Sequence, residues 1–339
     1  MNKEERIEFE QYKDIDAYHV AVPLWFTDYM FVFPIIWANK MKTTSTLRLE
    51  YQEGQRKQIE EDIKNGSVFL TNHRDIVMDA AYLSYKLRVK YNIRPFIGIG
   101  NNLFGKRWIE PLVRYNRCFV VKRDGGLRAA VEHAEQLSGY LTYIRRHHRS
   151  IWLAQREGRA KDSNDLTQPA VLKMLTIHHE DFLQGIRELN ICPVCLNYEY
   201  DPCDYLKAKE MQLKRDNPNY RKHKADDILS MKTGINGYKG RVVFRMTPSI
   251  NHWLNEHEQE LKNLPRNEQA ALVAARIDYQ IHYNYECYER GEAFEQYLQG
   301  QLDKIDIPNK DEAFLMEKLR EMYSNPIINY EKSHLPWVV

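Results

Sequence analysis

Short apolar runs separated by helix-length segments constrain the fold of this chain more than any other feature. SVFLTN (67–72), RPFIGIG (94–100), CFVVK (118–122), SIWLAQ (150–155), ICPVCLNYEY (191–200) and RVVFRMT (241–247) each read as a strand. Between and around them, Tyr51–Asn65 (closed by Gly66), Asp79–Tyr91, Leu127–His148 and Leu166–His179 read as helices. Apolar runs of this length need cover on both faces, and the helices supply it as crossovers. The expected fold is therefore α/β, a mostly parallel central sheet flanked by helices. A lead segment over 1–50 carries one or two helices broken by prolines, and the tail after Ile250 is helical throughout. Three parts follow: an aromatic-rich helical segment 1–50, an α/β domain 51–250 with a basic insertion near 205–241, and a helical extension 251–339. With 43% hydrophobic residues in 339, the chain buries a real core, which excludes wholesale disorder.

Charge narrows the partners. Forty-nine Lys and Arg against 47 Asp and Glu leave a net +2, too even for a surface built to hold nucleic acid. The balance is local, however. Tyr205–Arg241 holds ten Lys/Arg against four Asp/Glu, a local +6, and Leu254–Asp303 holds four against ten, a local −6. The two stretches either pair within the fold, stay solvated, or leave the basic one facing an anionic lipid or substrate. Five cysteines, an odd number without a signal peptide before them, suggest a reducing intracellular setting. No run of 18 apolar residues is present. Val20–Ala38 comes nearest, but Asp28, Pro23 and Pro34 interrupt it among six aromatic rings. That pattern suits a membrane interface, or an arm packed on the core, better than a bilayer centre.

The candidate chemistry starts at Asn72-His73, where an apolar strand runs out just before a helix. Active sites of open α/β sheets collect at such strand ends. Asp75 and Asp79 stand within six residues of His73. A carboxylate fixes an imidazole's tautomer and stabilises its protonated form, which makes a competent general base. Neighbouring strings do not stand up as sites. His73-Arg74-Asp75 lacks the asparagine a kinase loop needs, with Ala80 in its place. Gly100-NNLF-Gly105-Lys106 lacks the metal-binding hydroxyl of a phosphate loop, having Arg107 there. Cys192 and Cys195 on one strand point to opposite faces and read as buried thiols.

Three further strings follow in order: Arg117–Arg123 (RCFVVKR), Gln155–Lys161 (QREGRAK), and Ile191–Val194 leading to Asn197–Tyr200 (NYEY). Together with the His73 string, this series resembles the four blocks of the glycerophospholipid acyltransferase family, over about residues 66–203. The last block is most similar to the glycerol-3-phosphate and dihydroxyacetone-phosphate branch. Departures mark a divergent member. Met78 stands where the family has its aspartate, with Asp79 one residue further on. Asp75 replaces a serine, and Arg159 comes one residue early, followed by Ala160 and Lys161.

The resemblance implies transfer of a fatty acyl group from acyl-CoA or acyl-carrier protein to a hydroxyl of glycerol 3-phosphate or lysophosphatidate. His73 would be the general base, with Asp79, or alternatively Asp75, as its acid partner. Lys122, Arg123 and Arg159 would hold the acceptor phosphate, with Glu157 and Gly158 shaping its pocket. No metal and no cofactor beyond the thioester co-substrate is implied. A peripheral position on the cytoplasmic face of the membrane follows from the lipid partners. An amine acceptor giving an N-acyl lipid, or a lipid-binding protein without catalysis, are the alternatives.

Overall fold

A computed structural model describes Tyr12, Ile15 and residues 33–101, 117–122 and 126–335. The chain forms a seven-stranded sheet, flanked by helices on both faces, as its alternating pattern predicts. The strands are β1 Thr44–Tyr51, β2 Val68–Thr71, β3 Phe96–Gly100, β4 Cys118–Val121, β5 Ile151–Ala154, β6 Ile191–Tyr198 and β7 Gly240–Met246, in the spatial order β1-β7-β6-β2-β5-β3-β4. Neighbours run parallel except β6 and β7, so β7 and β1 form a pair opposed to the other five.

Two of these strands show why the apolar runs were needed. All four residues of β2 and all eight of β6 are buried, as a central strand covered on both faces requires. Side-chain alternation then splits the core in two. Val68, Leu70 and Leu153 pack on one face with Tyr140, Phe182 and Ile277; Phe69 and Trp152 pack on the other with Ile59, Leu83 and Phe244. Cys195 belongs to the first face and Cys192 to the second.

The first strand departs from the expected boundary. Residues up to 50 read as a helical lead and Tyr51 as the start of a helix, yet the chain places β1 over Thr44–Tyr51. Leu47 and Leu49 turn inward while Arg48 and Glu50 face out, the alternation of an edge strand with one wet side. The helix before it, α1, spans Phe33–Thr43, and the one after it, α2, begins only at Arg56 and ends at Lys64. Most of the aromatic segment 20–38 lies outside the described residues.

The remaining helices on the sheet are α3 Met78–Tyr91, α4 Leu127–Arg146, α5 Pro169–Leu175 and α6 Phe182–Leu189. The basic stretch folds into α7 Asp204–Asp216 and α8 Lys224–Asn236. Among the described residues, its ion pairs are made with Asp201, Glu210, Asp216, Asp227, Glu199 and Asp311, rather than with the acidic stretch 254–303.

After Ile250 come α9 Asn251–Glu256, α10 Glu258–Lys262, α11 Arg266–Tyr283, α12 Glu292–Asp303 and α13 Glu312–Ser333. The last two pack Phe294, Leu298, Leu315 and Leu319 into a separate core with Ala208 of α7. Asp204 sits fully buried at its edge and accepts from Tyr297 Oη at 2.8 Å and Tyr323 Oη at 2.7 Å. Burial, with Asp201 adding to it, pushes the Asp204 carboxyl up to about 7. A carboxyl whose pKa rises on folding binds its proton more tightly in the native state, so stability falls as pH rises between its unfolded value and about 7. Asp204→Asn should remove this component. Denaturant melts at pH 5 and pH 8 should show the parent losing a few kcal/mol relative to the variant. Equal pH dependence in the two proteins would refute the assignment.

Candidate functional site

The parallel strands deliver their C-terminal ends to one edge of the sheet. Thr71 pairs with Ala154 in register, so the segments after β2 and β5 emerge side by side. A cleft of about 500 Å³ opens there. His73 and Trp152 form part of its wall, and Arg156, Glu157, Gly158, Arg159 and Lys161 line it from the segment after β5. Lys207 and Glu210 of α7 line it as well, as does Lys222 from just before α8.

His73 is held by its own loop. Its Nδ1 donates to Asp79 Oδ2 at 2.8 Å, and that oxygen also accepts from the backbone N–H of Arg74 (2.7 Å) and Asp75 (3.0 Å). Helix α3 begins at Met78, so Asp79 lies in its first turn, where a carboxylate is favoured and can turn back to the preceding loop. Asp79 is fully buried, whereas the His73 side chain keeps 12% of its exposure. With Nδ1 committed to the carboxylate, Nε2 is the nitrogen left to act as base. The imidazole meets the Trp152 ring edge to face at 5.9 Å, which fixes the remaining freedom of the ring.

Asp75 is occupied elsewhere. Its Oδ1 accepts from the N–H of Val77 and of Met78, both at 2.8 Å, closing the turn into α3. Burial, reinforced by the neighbouring Asp79, pushes the Asp75 carboxyl above its ordinary value. Gly234 of α8 packs so close to this carboxyl that any side chain there would strike Asp75 Oδ2. Of the two carboxylates the sequence left open, Asp79 is the one in contact with the imidazole.

A second buried layer sets the position of the loop. Asn72 Oδ1 accepts from Leu196 N at 2.7 Å and its Nδ2 donates to Leu196 O at 2.9 Å, so the amide extends the β2–β6 pairing past Thr71. Arg74 Nη1 donates to Asp165 Oδ1 at 2.6 Å, and its Nη2 meets Oδ2 at 2.5 Å. Burial works against the charge of Arg74, but Asp165 outweighs it and holds the guanidinium protonated above its ordinary range. Asp165 also accepts from Asn72 Nδ2 at 3.0 Å and from Tyr285 Oη at 2.5 Å. Lys207 Nζ donates to Arg74 O at 3.2 Å and pairs with Asp201. The loop after β5, helix α7 and the turn after α11 thus converge on Asn72-His73-Arg74.

The phosphate-binding residues suggested by the sequence divide. Glu157, Gly158 and Arg159 line the cleft, and Gly158 takes a left-handed backbone (φ 71°) that suits glycine. Lys122 does not line it among the described residues. It is half-buried just past β4, and β4 is the outermost strand, with β3 and β5 between it and β2. Arg123, Gly105 and Lys106 lie outside the described residues.

Cations the sequence reading did not single out, Arg156, Lys161, Lys207 and Lys222, line the cleft beside Arg159. Among the cations on the cleft, Lys161 pairs with Glu210, Lys207 with Asp201 and Lys222 with Asp227. Burial pushes the Lys161 ammonium down to about 8, against the pull of Glu210. Arg156 and Arg159 make no ion pair among the described residues, and Arg156 Nε and Arg159 Nη1 are buried without a hydrogen-bond partner. Unpaired guanidinium nitrogens out of water are costly, and an anion would satisfy them. Arg156 sits inside the QREGRAK string and was legible there as a fourth cation at the strand end. Lys207 and Lys222 were visible only as members of a basic run.

Among the described residues, no group of three or more His, Cys, Asp or Glu is placed to hold a metal ion, and no helix is long and apolar enough to cross a membrane. No protein-family model matches the chain, and no curated protein matches it either.

Proposed function

We propose that this chain is an acyltransferase that moves a fatty acyl group from a thioester, acyl-CoA or acyl-carrier protein, to a hydroxyl of glycerol 3-phosphate or lysophosphatidate. The observation that carries the reading is the His73–Asp79 pair on the wall of a cleft that also holds the unpaired guanidinium groups of Arg156 and Arg159. The ordered resemblance of four strings to the glycerophospholipid acyltransferases, two of which contain these residues, supports it as well. A peripheral position on the cytoplasmic face of the membrane belongs to the same reading, since donor and product both partition into lipid.

In this mechanism the acceptor's phosphate rests on Arg156 and Arg159, which places its hydroxyl toward His73. Nε2 takes the hydroxyl proton as the oxygen attacks the thioester carbonyl, while buried Asp79 stabilises the imidazolium that forms. Collapse of the tetrahedral adduct breaks the carbon–sulfur bond, and the imidazolium returns its proton to the leaving thiolate. The ester and the free thiol are the products, and His73 ends neutral. Base catalysis supplies about 10²–10⁴-fold, and holding both substrates in line supplies much of the rest.

An acyl-transfer assay read by mass spectrometry tests this. It offers acyl-CoA and acyl-carrier protein with glycerol 3-phosphate, lysophosphatidate, dihydroxyacetone phosphate and several amino acids. Product is expected on a phosphorylated acceptor. Arg156→Ala and Arg159→Ala should each raise KM for that acceptor by about ten-fold or more, the worth of a charge-assisted hydrogen bond. Product on an amine alone would instead make the protein an N-acyltransferase. No product with any pair would leave lipid binding without catalysis as the better description.

A further inference from the structure

Helix α1 is inside out. Its buried side is fixed: Ile36 and Thr43 are buried, and Asn39 Nδ2 donates to Ile235 O at 2.7 Å. The arc it presents outward consists of Pro34, Ile35, Trp37, Ala38, Met41 and Lys42. Five of those six are apolar. Ile35 keeps 67% of its surface exposed, Trp37 56% and Met41 60%. Beside this ridge the end of α3 adds Val89, 63% exposed, and an open groove of about 910 Å³ runs between the helices, lined in part by Phe33, Trp37, Tyr85 and Tyr91. Large apolar side chains grouped on one face of a protein mark an interaction surface.

Among the described residues, the helices of the ridge carry an excess of cations. Helix α1 carries Lys40 and Lys42 and no acidic residue; the outer half of α3 carries Lys86, Arg88 and Lys90. The only carboxylate of α3, Asp79, is buried at its other end. Glu60 of α2 approaches Lys90 but is bound by Arg56 at 3.0 Å. Burial, followed by the nearness of Lys40 and Lys90, pushes Lys86 below its ordinary value, so these cations crowd together.

We propose that this face docks on an anionic lipid bilayer, with Ile35, Trp37, Met41 and Val89 entering the headgroup region and Lys40, Lys42 and Lys90 meeting lipid phosphates. An amphipathic indole flanked by long cationic side chains suits the boundary between acyl chains and headgroups. A protein partner would need its own apolar groove ringed by acid, whereas an anionic membrane offers both features everywhere. The face is separate from the His73 cleft and shares no lining residue with it. Docking rests on the peripheral membrane position of the proposed function, and with no shared lining residue its failure is distinguishable from a failure of acyl transfer.

Flotation of the full chain with vesicles tests the assignment, using phosphatidylcholine alone and phosphatidylcholine mixed with phosphatidylglycerol. Binding to the mixed vesicles, weakened by salt, is expected. Each of Lys42→Gln and Lys90→Gln should lower the partition coefficient by about five-fold, and the exposed pair Trp37→Ser with Met41→Ser should abolish flotation without changing the melting temperature. Failure of the parent to float would overturn the proposal, as would full binding by the Trp37/Met41 variant. A parent that sediments as a dimer, and becomes monomeric when Trp37 and Met41 are replaced, would assign the face to a second copy and overturn it equally.

Discussion

His73→Ala should lower kcat for acyl transfer by about 10²–10⁴-fold while leaving the melting temperature nearly unchanged. Among the described residues, the side chain makes its hydrogen bond at Nδ1 to Asp79, which keeps its two backbone donors, and its other contact is the Trp152 ring. Asp79→Asn should fall in the same range for a different reason. The amide can still accept from the loop N–H groups, but it removes the charge that stabilises the imidazolium. Asp75→Asn separates the two carboxylates. Asparagine caps a turn about as well as aspartate, so both kcat and stability should stay within a few-fold of the parent. Single-turnover measurement with acyl-CoA and glycerol 3-phosphate decides the point. Turnover that survives His73→Ala would sink the mechanism, and a deep loss with Asp75→Asn alone would move the acid partner to that residue.

The contrast between these two carboxylates shows what the sequence could and could not convey. A strand ending at Asn72-His73 was plain, because three consecutive large apolar residues, Val68 to Leu70, running out just before a helix allow little else. Two aspartates within six residues were equally plain. Choosing between them required the helix start: with α3 beginning at Met78, Asp79 turns back over the loop while Asp75 is spent on the N–H groups of Val77 and Met78. Helix boundaries are the least legible part of a sequence, so the choice stayed open until then. Lys122 stands apart from the cleft for a longer-range reason. It follows a strand as Arg156 does, but strand order is not written in local pattern, and β4 lies at the sheet edge. Strand β1 escaped notice because its buried apolar residues are only Leu47 and Leu49, set among Thr, Ser, Arg and Glu that read as a helix approach. Nor did the sequence show what the acidic tail does. Its contribution to the site is Tyr285, together with His282, whose Nε2 meets Asp165 O at 2.9 Å, and both contacts span more than 110 residues.

That last connection carries the largest expected effect on stability. Asp165→Asn should destabilise the protein by about 3–5 kcal/mol, because it strands the buried guanidinium of Arg74 without a counter-charge. For a chain of this size the melting temperature should drop by about five degrees. Tyr285→Phe removes one hydrogen bond to the same carboxylate and should cost only about 1 kcal/mol. The informative variant is the pair Arg74→Met with Asp165→Leu. Buried ion pairs replaced by apolar residues of similar size are often neutral, so much of the lost stability should return. Activity should not return with it. Without Asp165 nothing holds the Asn72 Nδ2 from that side, and the His73 loop loses its link to the segment that bears Arg156 and Arg159. A stable double variant with parental kcat would show that the buried pair serves the fold alone. A stable double variant with depressed kcat would place Asp165 among the groups that position the imidazole, and would give the helical C-terminal extension, through Tyr285 and His282, a share in that task.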